Sequence, residues 1–260
     1  MLIVLLACFA LLTVPAVAME PLYGGFSEPT GIAAGKDGSL YVSNWGGGTV
    51  ERIAPDGLRS IFMDKIQAPA GIAVDDRGAV YVAAYSGDLV HRVDTDGSRS
   101  VVATNLATPT GIAFSASGVL LIANRASGEI VSLDLSTGKT RVAASGLSLP
   151  VGVVEMADRS LVVSQYGGRV TRVFPDGATA ELGQSFNRPG VGIVTDGADA
   201  VLVIDNGANV VRRVGIDGGS QVVLSGMAGS AVALGRNATG AVLAGCWGSG
   251  NIYGIGTETR

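Results

Sequence analysis

Short apolar runs alternate with turns rich in glycine and aspartate along nearly the whole chain, and the alternation recurs about every 40 residues. The run that opens each unit reads PTGIA at Pro29 to Ala33, PAGIA at Pro69 to Ala73 and PTGIA again at Pro109 to Ala113. Anchored on the motif glycine, the units fall at Gly31, Gly71, Gly111, Gly152 and Gly192, with Ser230 in the sixth slot, at spacings of 40, 40, 41, 40 and 38 residues. The extra residue of the third unit lies in LDLSTG, Leu133 to Gly138, where its siblings carry a shorter turn, the place where insertions are tolerated. Each unit predicts a strand (Gly31 to Ala33), a turn at Asp37-Gly38, a second strand (Leu40 to Ser43), a glycine-rich loop and a third strand (Val50 to Ile53). A turn at Asp56-Gly57 and a fourth strand then lead to the next proline.

Four strands in such a period form a propeller blade. The pattern therefore predicts an all-β fold, a six-bladed β-propeller with four antiparallel strands per blade and repeats starting near residues 29, 69, 109, 150, 190 and 229. The last unit stops soon after its third strand, Asn251 to Ile255, while Leu22 to Phe26 match the fourth strand of the other units. The N-terminal segment is thus expected to complete the last blade and remove the open edge. A solenoid would need distinct polar caps at both ends, and the sequence offers none.

Composition agrees with this reading. Against 39 glycines stand only 6 Phe, 6 Tyr and 2 Trp, as many tight turns and thin layers require. A net charge of −4 without a basic run argues against nucleic acid or an anionic membrane as partner. Residues 1 to 18, MLIVLLACFALLTVPAVA, are uncharged and end in Ala-Val-Ala, the profile of a cleaved signal peptide, so a secreted or periplasmic protein is expected. The absence of Lys or Arg after Met1 leaves an upstream start or a retained membrane anchor as alternatives. A lipoprotein box around Cys8 has too few residues before it. Cleavage would leave Cys246 alone, without an internal disulfide or a cysteine zinc site. No later apolar run reaches spanning length, and a soluble monomer is expected after signal removal.

Adjacent strands being antiparallel, the start of strand one and the end of strand two share one side of the disc. Before the motif glycines come Thr30, Ala70, Thr110, Val151, Val191 and Gly229; strand two ends on Asn44, Ala84, Asn124, Gln165, Asp205 and Cys246. One residue further lie Trp45, Tyr85, Arg125, Tyr166, Asn206 and Trp247, a register that holds both tryptophans of the chain. One reading is an aromatic mouth over a channel made partly polar by Asn44, Asn124 and Gln165, able to bind a sugar, peptide or small organic ligand. The other is that these rings wedge between blades as packing. Four units also share an arginine in strand three, Arg52, Arg92, Arg172 and Arg213; a copied structural residue paired with nearby acids is the better account of it than a cationic ring. Asp37, Asp56, Asp96, Asp176 and Asp217, each before glycine, are turn residues, and Asn237-Ala238-Thr239 fits the N-glycosylation pattern.

DGSLYVSNWGGGTVERIAPDG (Asp37 to Gly57), RGAVYVAAYSGDLVHRVDTDG (Arg77 to Gly97) and ADAVLVIDNGANVVRRVGIDG (Ala198 to Gly218) resemble NHL-repeat proteins and the senescence-marker/gluconolactonase-like propellers, over nearly all of the chain after residue 18. The resemblance implies lactonases, lyases or binding modules on one fold. For a gluconolactonase it implies a divalent cation, such as calcium or zinc, held by a glutamate at the start of the first inner strand and by Asn or Asp before later motif glycines. Glu28 matches the first ligand, but Thr110, Val151 and Val191 fill the later positions, and valine cannot ligate. A rearranged set with Glu28, Asn44, Asn124 and Asp205 is the remaining route to a metal-dependent lactonase-type hydrolase. Virginiamycin B lyase, similar in blade pattern, relies on histidine; here His91 is the only one, inside strand three and away from the mouth. An exported binding or scaffold module without a cofactor, for an unidentified protein, sugar or small-molecule ligand, is the leading expectation.

Overall fold

A computed structural model describes residues 19–183 and 186–255; the leader proposed for residues 1–18 lies outside them. Six antiparallel sheets follow one another along the chain, five of four strands and the last of three. Their innermost strands are Pro29–Ala34, Pro69–Val74, Pro109–Phe114, Pro150–Glu155, Pro189–Thr195 and Ser230–Arg236. Each packs on the next, and the sixth packs on the first, so the blades close into a ring. The six-bladed propeller is the fold of the protein.

The N-terminal segment joins the sixth blade as expected, though as one bridge rather than a full strand. Tyr23 pairs with Ile252, and N–H groups of Leu22, Tyr23 and Phe26 bond to carbonyls of Ile252 and Gly250. Phe26 and Ile252 share one buried cluster with Ile32 and Val42 of blade 1, which locks first and last blades together. Among the described residues no helix is long and apolar enough to cross a membrane.

The motif glycine has a packing cause. A Cβ on Gly71 would stand 2.6 Å from the Thr110 carbonyl oxygen, on Gly111 2.6 Å from that of Val151, and on Gly152 2.5 Å from that of Val191. These neighbours are backbone of the next inner strand, which cannot yield to a methyl group. The inner strands therefore approach as closely as they do because the repeat places glycine there.

Blade 6 corrects the expected register. Cys246 pairs with Ala231 and Gly245 with Ala233, as Asn44 pairs with Pro29 and Ser43 with Gly31 in blade 1. The sixth motif position is Ala233, not Ser230, and Val232 rather than Gly229 precedes it. The methyl of Ala233 fits because glycine has moved to the facing strand: a Cβ on Gly245 would lie 3.1 Å from the Ala233 Cβ.

The five Asp-Gly turns are as expected, with Asp37, Asp56, Asp96, Asp176 and Asp217 each accepting the N–H two residues on. Asn237 makes the same kind of turn, bonding the N–H groups of Thr239 and Ala241. The third-strand arginines bind acids: Arg52 to Asp37 at 2.7 Å, Arg92 to Asp94, Arg172 to Asp158, and Arg213 to Asp196 at 2.6 Å. They are blade architecture rather than a cationic ring.

Candidate functional site

The mouth is built by one local device used four times. The residue before each proline, Glu28, Ala68, Thr108 and Leu149, adopts a left-handed conformation with φ of 58°, 54°, 53° and 55°. This costs a non-glycine residue about 1 kcal/mol or more. It turns the carbonyl toward the end of strand two, where it accepts the N–H of Trp45, Tyr85, Arg125 and Tyr166 at 3.0, 3.0, 3.2 and 2.9 Å. The backbone of four mouth residues is thus tied down by the same bond.

Their side chains, with that of Trp247, touch one another at this end of the disc. Trp45 packs on Tyr85 with ring centroids 4.7 Å apart and on Trp247 at 5.7 Å. Arg125 Nη1 donates to Tyr85 Oη at 2.9 Å, and its guanidinium carbon lies 5.0 Å from the Tyr166 ring centre. Trp247 Nε1 donates to Thr30 Oγ1 at 3.1 Å, and Asn206 Nδ2 to Ser230 Oγ at 2.8 Å. All six side chains are half-buried, while Thr30, Ala70, Thr110 and Val151 at the upper ends of the inner strands are buried. The rings do wedge between blades, and they also keep an exposed side. A channel cavity of about 340 Å³ is lined chiefly by the inner strands below this layer, ending at Ala34, Val74, Phe114, Thr195 and Arg236.

The polar register beneath serves the blade. Asn44 Oδ1 accepts Ser27 N–H at 3.2 Å while its Nδ2 donates to Glu51 at 2.8 Å. Asn124 Oδ1 accepts Ala107 N–H at 2.6 Å, and Gln165 Oε1 accepts Ser148 N–H at 2.5 Å while its Nε2 donates to Thr171. Each pins the loop that enters its own blade. Asn44, Asn124 and Gln165 are buried with both ends of the amide engaged, so they do not supply the partly polar channel expected of them.

Blade 5 varies the device. One extra residue in Pro189-Gly190-Val191-Gly192 accompanies a carboxylate in place of the amide: Asp205, fully buried, accepts N–H of Asn187 and Arg188, both at 3.0 Å, and pairs with Arg212 Nε at 3.1 Å. This makes Arg188 part of the mouth, with Nη1 donating to Tyr166 Oη at 3.1 Å and the guanidinium 5.5 Å from that ring. Sequence reasoning missed Arg188. The available signal was its slot, directly before proline, shared with Glu28, Ala68, Thr108 and Leu149.

The metal set does not come together. Glu28 lies against Gly46 of its own blade, with a carboxylate oxygen 3.0 Å from where a Gly46 Cβ would stand, whereas Asp205 is saturated and neutralised in blade 5. Among the described residues no group of three or more His, Cys, Asp or Glu could hold a metal ion. The Glu28 and Asp205 donors therefore do not fit a shared cation. His91 sits in Leu89–Val93 opposite Val82 and Val101, with burial and then Arg99 holding it below its ordinary pKa. Burial pushes the Cys246 thiol up to about 12, which keeps it protonated and inert.

Fold and mouth together define a six-bladed β-propeller with an aromatic and cationic rim at one end. The chain belongs to the virginiamycin B lyase family, which it matches over residues 16–260. Its fold is similar to that of a streptogramin B lyase (TM-score 0.68, 16% identity, covering 90% of this chain and 95% of that one). Virginiamycin B lyase from Staphylococcus aureus is similar too (0.69, 16%, 89% and 85%), as is a gluconolactonase from Xanthomonas campestris (0.79, 18%, 90% and 87%). No curated protein sequence matches the chain.

Proposed function

We propose that the protein is an exported, monomeric binding propeller that holds a small ligand on the mouth formed by Trp45, Tyr85 and Trp247. The observation that carries this reading is the half-exposed cluster of these three rings, Trp45 and Tyr85 tied down by the pre-proline device and Trp247 by its bond to Thr30. Flat apolar faces stack on such a surface, and neighbouring donors orient them. A catalytically inactive histidine-to-alanine variant of the Staphylococcus aureus lyase has been solved with quinupristin. The single histidine of the present chain lies in a third strand, so the mouth has no histidine of its own, which supports the binding reading.

Both tryptophans of the chain are in the mouth, so tryptophan emission, excited at a wavelength that tyrosine does not absorb, reports on it alone. Titration with a panel of sugars, short peptides and aryl compounds is expected to quench this emission for at least one class, and Trp45→Ala and Trp247→Ala to abolish that binding. Absence of binding across the panel, or binding indifferent to both variants, overturns the reading. An enzymatic alternative keeps one supporting feature, the Glu28 carboxylate, which is half-buried and has no side-chain hydrogen bond among the described residues. Lactone or cyclic depsipeptide turnover that appears with calcium, magnesium or zinc and is lost in Glu28→Gln would establish it.

A further inference from the structure

Most arginines elsewhere in the blades are neutralised; among the described residues Arg77, Arg141 and Arg236, all away from the mouth, have no carboxylate partner. Arg52, Arg92, Arg172, Arg212 and Arg213 each meet a carboxylate. At the mouth both arginines go without one. Arg125 and Arg188 flank Tyr166, their guanidinium carbons 5.0 and 5.5 Å from its ring centre, and neither has an acidic partner among the described residues. The nearest carboxylate to the Arg188 backbone, Asp205, is committed to two N–H groups and to Arg212. Tyrosine hydroxyls and ring faces hold the two guanidinium planes in place while leaving most of their donors free. Arg125 also borders the apolar stack directly through Tyr85.

Resting on the binding reading above, we infer that the mouth is selective for organic acids. An aryl group packs among the tilted rings of Trp45, Tyr85 and Trp247, and its carboxylate is received by Arg125, with Arg188 adding a second cation across Tyr166. A planar fork of donors suits a carboxylate, and a charge-assisted bond of this kind is roughly twice as strong as a neutral one. The net charge of −4 makes this local excess of cation the feature that a screened, salt-sensitive affinity would report.

The test compares naphthalene-2-carboxylate with the isosteric neutral naphthalene-2-carboxamide, by calorimetry on the whole chain. The acid is expected to bind about tenfold tighter, the equivalent of one charge-assisted bond, and to weaken with salt while the amide does not. Arg125→Gln and Arg188→Gln should each narrow the gap several-fold, and Arg125→Lys should retain part of it. Arg77→Gln, an exposed arginine in the turn on the opposite face, should leave it unchanged. The salt dependence of the native chain needs no variant and so survives a folding defect in any of them. Equal affinity of acid and amide overturns the acid selectivity while the aromatic platform stands. Failure of both to bind overturns the selectivity, and if the wider panel also fails the platform falls with it.

Discussion

The layer under the mouth and the mouth itself sit one residue apart in every blade, yet they behave oppositely. Beneath, the blades carry near copies: in five of the six a motif glycine against the neighbouring strand, and in four an Asn, Gln or Asp that pins the incoming loop. One residue further the same backbone presents Trp, Tyr, Arg, Tyr, Asn and Trp. What is copied holds the ring together; what varies on a fixed frame gives the mouth a direction, aromatic across blades 6, 1 and 2 and cationic across blades 3 to 5. Changes in the lower layer should therefore cost stability, and changes in the upper layer should cost recognition.

The largest effect is expected at the glycine ring. Gly111→Ala would place a methyl 2.6 Å from the Val151 carbonyl oxygen and 2.8 Å from the Gly152 Cα, both backbone. A loss of about 3 kcal/mol in denaturant unfolding is expected. Ala233→Gly, at the one position where the ring accepts a side chain, should cost less, about 1 kcal/mol. Equal costs at the two positions would break the claim that close approach dictates the glycine.

Next comes Asp205→Ala, which strands two N–H groups and the Arg212 guanidinium. About 2–4 kcal/mol should be lost. Asn124→Ala, which removes a neutral pin from the Ala107 N–H, should cost about 1–2 kcal/mol. An Asp205 variant no more damaging than the Asn124 one would show that the blade 5 carboxylate is a replaceable amide, and the altered entry of Arg188 would need another cause.

These effects also separate what the sequence could disclose from what it could not. Glycine spacing and Asp-Gly turns are local and repetitive, so six blades, their strand order and the pinning arginines could be read directly. The sixth register could not, because Ala233 and Gly245 exchange sizes across two strands and the spacing of the motif points to Ser230 instead. The mouth was half legible. All its members but Arg188 follow from register, but whether rings face a ligand, a neighbour or both depends on inter-blade distances that no spacing encodes. The polar register was misread for a related reason: a side chain at the end of a strand has two ways to point, and Asn44, Asn124 and Gln165 turn into the blade.

At the mouth, Trp247→Phe removes the Nε1 bond to Thr30 and keeps a ring of similar face. Its stability cost should be about 1 kcal/mol or less, since both partners adjoin the half-exposed layer. Ligand affinity should fall more than stability does, measured by calorimetry beside thermal melting. The reverse order would make the aromatic ring packing alone and erase the contrast between the layers.

The smallest effect belongs to His91, which lies in neither layer. In the unfolded chain it titrates near its ordinary 6.5, and in the fold burial, then the Arg99 charge, lowers that value. Between the two values the unfolded state binds more protons, so stability is undiminished above 6.5 and declines as pH falls through 6.5 toward the lower folded value. His91→Gln should flatten that slope in urea titrations and leave ligand binding unchanged. A His91→Gln variant that lost binding, or a pH slope of opposite sign, would mean that the third strand communicates with the mouth. The division of labour between a copied frame and a varied rim would then have to include it.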